Sequence, residues 1–105
     1  MRHKVELSRR AQRDIAEAYA YIRQDAPGRA ERWRQRLLAT IDTLEQRPAR
    51  HSLAPEADVV GMEVRQMLIG AYRILYVVEG DLVNVVTVRH GARRFLEPDE
   101  LREIV

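Results

Sequence analysis

Polar and apolar residues alternate along His3-Lys4-Val5-Glu6-Leu7, a period of two that predicts a short first strand. Ser8 follows as a helix N-cap, because its hydroxyl can accept from an orphan backbone N–H of the first turn. The period then lengthens. Ala11, Ile15, Ala18, Tyr19 and Ile22 recur at helical spacing until Pro27 stops the pattern. Gly28 opens a second helical stretch, with Ala30, Trp33, Leu37, Ile41 and Leu44 on one stripe, ending at Pro48. Only Ala26-Pro27-Gly28 separates the two, so they predict an antiparallel helical hairpin.

Pro48 to Gly61 is polar and without period, and reads as one long loop. Beyond it the chain returns to strand patterning. Met62 to Leu68, Tyr72 to Val78 and Leu82 to His90 are rich in Val, Ile, Leu and Tyr. Ile69-Gly70-Ala71 and Glu79-Gly80-Asp81 between them have the length and the glycine of hairpin turns. Pro98, followed by Asp99 and Glu100, suits the first turn of a short terminal helix. The class is therefore α+β, a single domain over residues 1–105. An N-terminal strand and a helical hairpin precede a three-stranded antiparallel sheet, with the helices on one face, and a short C-terminal helix follows.

That layering predicts an uncovered surface. Tyr72, Ile74 and Tyr76 alternate with Arg73, Leu75 and Val77, so one set faces the helices and the other lies on the opposite face. Two helices on one side leave that opposite face to a partner.

Composition narrows the chemistry. The chain has 105 residues and no cysteine, which excludes a disulfide scaffold, a thiolate metal site and a Cys nucleophile. The N-terminus turns charged too early for a secretory segment, and no apolar run approaches membrane-spanning length. A cytoplasmic protein with no membrane partner is the expectation. Net charge is +2, but the last nine residues hold four acids and one base. Residues 1–96 therefore carry 17 bases against 12 acids, a net of +5. A basic body with an acidic tail suits an anionic or acidic partner. All but one of the bases are arginine, a bias that GC-rich coding alone explains.

Gly70-Ala71-Tyr72-Arg73-Ile74-Leu75-Tyr76 resembles the Gly-x-Tyr-Arg-x-x-Tyr strand of the RelE/ParE toxins of type II toxin–antitoxin systems. Val88-Arg89-His90-Gly91-Ala92-Arg93-Arg94 is similar to the Val-x-His-x-x-Arg ending of that family's last core strand. The early Ala11-x-x-Asp14-Ile15-x-x-Ala18-x-x-Tyr21-Ile22 resembles its first helix, and Leu44-Glu45-Gln46-Arg47-Pro48 its exit from the second. The resemblance implies a toxin held inactive by a cognate antitoxin in a hetero-oligomer, with no cofactor. It also implies one of two targets: DNA gyrase, inhibited without nuclease chemistry in the ParE-like branch, or the ribosome and its mRNA, cut in the RelE-like branch. The expected antitoxin surface is Arg65, Arg73, Leu75 and Val77.

A metal-free ribonuclease must deprotonate a 2′-hydroxyl, protonate a leaving 5′-oxygen and stabilise a phosphorane. Arginine suits the last task, since its fork binds two phosphate oxygens, and Arg73 stands where the RelE-like branch places such a residue. An Arg73 facing solvent or antitoxin is the alternative. In the nuclease reading Arg73, His90 and Arg93 would form the site. His90 is either a structural histidine facing the helices with Val86 and Val88, which is the preferred reading, or a general acid. Beyond the last strand the RelE-like branch carries Tyr or His, whereas this chain has Phe95, which has no proton to give. That departure favours the ParE-like branch, with no catalytic residue and a target-facing surface of Arg89, Arg93, Arg94, Leu101 and Ile104. His3, His51 and His90 lie far apart, so no metal site is expected. Tyr19 and Trp33 are expected to bury at the helix–helix contact, and Glu63 with Arg65 to form a surface pair. The acidic segment Glu97 to Val105 must dock its apolar side, because so short a helix does not persist alone in water. The sheet edge and the opposite sheet face are its expected seats, near Arg89 to Arg94.

Overall fold

Ser8 converts strand to helix as its position requires: its hydroxyl accepts from Ala11 N–H at 3.0 Å and donates to the Val86 carbonyl at 2.9 Å. The computed structural model describes residues 2–105, with the side chain of Val59 also outside the described residues. The first strand, β1, is Lys4–Leu7, and the first helix, α1, is Arg9–Asp25. The second helix, α2, spans Pro27–Asp42 with proline in its first turn, where a missing N–H is harmless. The hairpin forms as expected, although α2 starts on the proline rather than on Gly28.

The sheet has four strands rather than three. Val64–Ile69 (β2), Tyr72–Glu79 (β3) and Leu82–His90 (β4) form antiparallel hairpins, and β1 joins β4 in parallel, giving the order β1-β4-β3-β2. The turn glycines Gly70 and Gly80 sit at φ +55° and +61°, a conformation that penalises any Cβ. A bulge interrupts β3–β4: Leu75 pairs with Thr87 but Tyr76 pairs with Val85, leaving Val86 unpaired. The extra residue resets the alternation. Val83, Val85 and Val88 all face the helices, packing with Leu37, Ile41, Leu44, Ile74 and Tyr76. Val86 faces the other way, which corrects its expected grouping with Val88 and His90.

The opposite sheet face is not open. The segment read as an unstructured loop holds a 3-10 turn, Pro48–Arg50, and a short helix, α3, Ala57–Val60. The terminal helix, α4, spans Pro98–Ile104 and begins with a capping box, in which the Glu97 and Glu100 side chains satisfy each other's backbone N–H. Ala54, Ala57, Leu96 and Leu101 bury Val64, Leu75, Val77 and Val86 in a second core, with Val60, Ile104 and Val105 at its rim. The tail thus takes the sheet face, one of its two expected seats. Counting only the long helices underestimates this cover, because seven aliphatic side chains from the loop and tail supply it. No helix among the described residues is long and apolar enough to cross a membrane.

Candidate functional site

Arg73 lies on β3 with its side chain on the second sheet face, beneath the approach to α4. Only 6% of it is exposed. Its Nη1 and Nη2 donate to the two oxygens of Glu56 at 3.1 and 2.6 Å, and Nε donates to Gln66 Oε1 at 3.0 Å. The Phe95 ring centroid stands 5.3 Å from its Cζ. Glu56, 2% exposed, also accepts from Leu96 N–H at 3.2 Å. One carboxylate therefore ties β3, the segment before α3 and the segment before α4 together. Burial pushes the Glu56 carboxyl up, but hydrogen bonds from Arg73, its own backbone N–H and Leu96, with the Arg73 charge, hold it below the ordinary glutamate value.

Arg89 shares that face and is 2% exposed. Its Nη2 donates to the Arg94 carbonyl at 2.8 Å, while Nε and Nη1 have no partner among the described residues. Burial and the Arg93 charge lower its pKa against the upward pull of Glu100 and Glu56. The guanidinium stays charged at neutral pH all the same, because its ordinary value lies so far above. Arg94 is exposed and pairs with Glu100 at 2.8 Å, so the acidic tail does meet the Arg89–Arg94 stretch.

These placements correct several expectations. Leu75 and Val77 are buried by the chain's own tail and are not a free surface. Arg65 pairs with Tyr76 across the sheet and so lies on the helix side, away from Arg73. It donates to the His51 carbonyl at 2.7 Å and pairs with Glu63 at 3.6 Å. Of the proposed target surface only Arg93 and Arg94 are exposed; Leu101 is fully buried, Arg89 nearly so, and Ile104 packs against the second core. Arg73 and His90 take opposite faces of the sheet yet line one cleft at its end, while Arg93 borders the neighbouring cleft with His90.

His90 does take the helix side, but it is exposed rather than buried. It stands edge-on to Tyr72, ring centroids 5.2 Å apart, and its Nδ1 accepts from Ala92 N–H at 3.0 Å. Trp33 is half-buried against the main core and packs on Tyr72, ring centroids 5.0 Å apart. Tyr19 bridges the hairpin by donating to Glu31 at 3.3 Å. Three clefts meet around Tyr72 and His90, at the end of the sheet that neither α4 nor β1 reaches.

Chemically, the Arg73 fork is already saturated by a carboxylate, so it offers no free pair of donors to a phosphate. The residue sequence reasoning missed is Glu56. It stands between Pro55 and Ala57 in a stretch without period, and no local pattern there signals a buried acid.

Residues 5–95 match the family described as "ParE toxin of type II toxin-antitoxin system, parDE". The fold is similar to a chain of the chromosomal ParDE toxin–antitoxin system from P. aeruginosa, with a TM-score of 0.71 and 16% identity, covering 84% of this chain and 95% of that one. It is also similar to a chain of the RelBE2 toxin–antitoxin complex from Mycobacterium tuberculosis, with a TM-score of 0.62 and 20% identity, covering 89% of this chain and 95% of that one. At these identities the likeness is one of fold. No curated protein matches the chain in sequence.

Proposed function

The chain belongs to the ParE toxin family of type II toxin–antitoxin systems, and from that premise we propose that it blocks DNA gyrase and cuts no RNA. A cognate antitoxin is the partner that neutralises it in the cytoplasm, as a hetero-oligomer. The observation that carries the reading is the closed Arg73. A nuclease of this architecture needs an arginine fork presented to the phosphorane, and here the fork is filled by Glu56 and roofed by Phe95 and the approach to α4. Phe95 also supplies no proton to a leaving oxygen, in the place where a nuclease of this family carries Tyr or His.

The purified chain should inhibit gyrase supercoiling of plasmid DNA and leave ribosome-bound mRNA intact. In cells, induction without antitoxin should produce filaments and a DNA-damage response rather than cleaved transcripts. Ribosome-dependent cuts that vanish in Arg73→Ala would overturn it.

One observation favours the other reading, a ribosome-dependent mRNA endonuclease. Two Arg89 donors are held beneath the tail with no partner among the described residues, as an anion site under a lid would be. Glu100→Arg separates the two, since it breaks the pair with Arg94 and leaves the buried Leu101 in place. The gyrase reading requires that the variant cuts no RNA and keeps its antitoxin. RNA cleavage gained on loosening the tail would make α4 a lid and Arg89 a phosphate ligand.

A further inference from the structure

On the helix side of the sheet, the end of α1, one face of α2 and the β2–β3 turn enclose a cleft of about 470 Å³, within the range of small-ligand pockets. Its floor is aromatic. Trp33 and Tyr72 pack with ring centroids 5.0 Å apart and planes tilted by 54°, and Tyr21, 72% exposed, stands at the mouth. The rim is basic: Arg29, Arg32 and Arg36 are exposed, and none makes an ion pair among the described residues. The first turn of α2, beside Arg29, has neither an acidic residue nor a side-chain cap, so its positive end adds to that rim. His90 borders the cleft as well. Its Nδ1 accepts from Ala92 N–H, which leaves the ring proton on Nε2 as a donor. Burial, with Tyr21 alongside, raises the Tyr72 phenol above its ordinary value and keeps it a neutral donor too. No carboxylate borders this cleft among the described residues. Asp14 and Glu17 border only the adjoining one, and Asp14 is engaged by Arg10, Thr87 and Val88.

We propose that this cleft binds a nucleoside di- or triphosphate, with the base on the Trp33–Tyr72 floor and the phosphates on Arg29, Arg32 and Arg36. The charged side chains of the lining are all donors, so the ligand must bring the acceptors and the negative charge. Arginine forks take phosphate oxygens in pairs. Three of them, spread over about 10 Å of the α2 axis, match a chain of phosphates better than a single carboxylate. The aromatic half asks for a flat body. A base laid on Trp33 meets Tyr72 at its edge, one of the arrangements that aromatic groups prefer. Stacking of this kind accepts any base, so it selects nucleotides as a class over sugar phosphates. A polynucleotide fits less well, because a longer strand would run on into the adjoining cleft, where Asp14 and Glu17 repel phosphate. The inference stands on the cleft alone, whichever macromolecule the toxin attacks.

Trp33 is the only tryptophan in the chain, so its fluorescence reports this cleft directly. The full chain is titrated with adenosine triphosphate, exciting tryptophan where adenine does not absorb. The controls are adenosine, inorganic triphosphate and a single-stranded oligonucleotide. The expected result is a saturable change in Trp33 emission with the nucleotide, weakened by salt, and at least about tenfold weaker binding of adenosine or inorganic triphosphate. The double variant R32E/R36E, both positions exposed, should bind the nucleotide about tenfold more weakly or worse. Its circular dichroism should match the parent's. The triple variant R29A/R32A/R36A, which introduces no new charge, should show the same loss. No saturable response to the nucleotide, or an affinity unmoved in both variants, would overturn the proposal. Binding of adenosine or of inorganic triphosphate as tight as that of the nucleotide would also overturn it, since the floor and the rim must act together. So would tighter binding of the oligonucleotide, which would make the cleft a nucleic-acid surface.

Discussion

Replacing Glu56 by alanine tests the closed site most directly. The substitution removes both acceptors of the Arg73 fork and leaves its guanidinium with Gln66 as its one side-chain acceptor, in a position only 6% exposed. Breaking a buried pair by deleting one partner costs about 3–5 kcal/mol, because the surviving charge stays desolvated. Leu96 N–H loses its acceptor as well. A domain of this size has roughly 5–15 kcal/mol in total, so the variant should be marginal. With a urea m-value of about 1–3 kcal/mol/M, the midpoint should fall by roughly 1–5 M. The double variant Glu56→Leu with Arg73→Met should recover much of the loss, since a hydrophobic replacement of a buried pair is often neutral or stabilising. The acid dependence follows from the same pair. The folded-state pKa of Glu56 lies below its ordinary value of 4.5, so its contribution is fully present above that value and is lost as pH falls through the folded pKa. Glu56→Gln should therefore flatten the acid limb of the stability curve. A midpoint that moves by less than about 0.3 M for Glu56→Ala would show that Arg73 reaches water, and the closed-site argument would fall.

Three further outcomes follow from the packing. Arg89→Met removes a buried charge that has one acceptor and two idle donors, and should leave stability unchanged or raise it by about 1–3 kcal/mol in urea melts; a clear loss would reveal a partner for those donors. Leu75→Asp places a carboxylate in the second core and should unfold the isolated domain, read as loss of near-ultraviolet dichroism, where an open sheet face would have tolerated it. Ser8→Ala removes both the cap of α1 and its tie to Val86, and should cost about 1–2 kcal/mol with the first-turn amides of α1 exchanging faster.

The elements with strong period were legible in advance. Ser8, Pro27, Gly70 and Gly80 mark boundaries by their backbone chemistry, and the structure places turns or caps at each. The alternation of Tyr72, Ile74 and Tyr76 with Arg73, Leu75 and Val77 also gave the two faces of β3. What period cannot reveal is a one-residue bulge. Val86 lies in an unbroken run of β-formers, and only the partner strand determines that it goes unpaired. Arg65 was misplaced for a related reason: its face depends on the register of β2 against Tyr76, which the turn sets. The second core escaped because its cover comes from residues scattered over 54–60 and 96–105, too few in each stretch to form a stripe.

The functional ambiguity has the same origin. A strand bearing Tyr72, Arg73 and Tyr76 is compatible with a nuclease and with a pure binder, since both need the strand and differ only in what the guanidinium meets. In this chain it meets Glu56, 17 positions upstream in a segment with no periodic signal. A carboxylate there neutralises the charge that a phosphorane would otherwise draw on, and by accepting from Leu96 it also anchors the segment leading into α4 over the strand. Arg89 makes no ion pair among the described residues and keeps two donors idle there, although its surroundings are just as dry. Two arginines on one face, one satisfied and one with idle donors among the described residues, thus lie beneath the segment that leads into α4. While it is seated both forks are almost wholly buried, and the open clefts lie beside them at the same end of the sheet, around Tyr72 and His90.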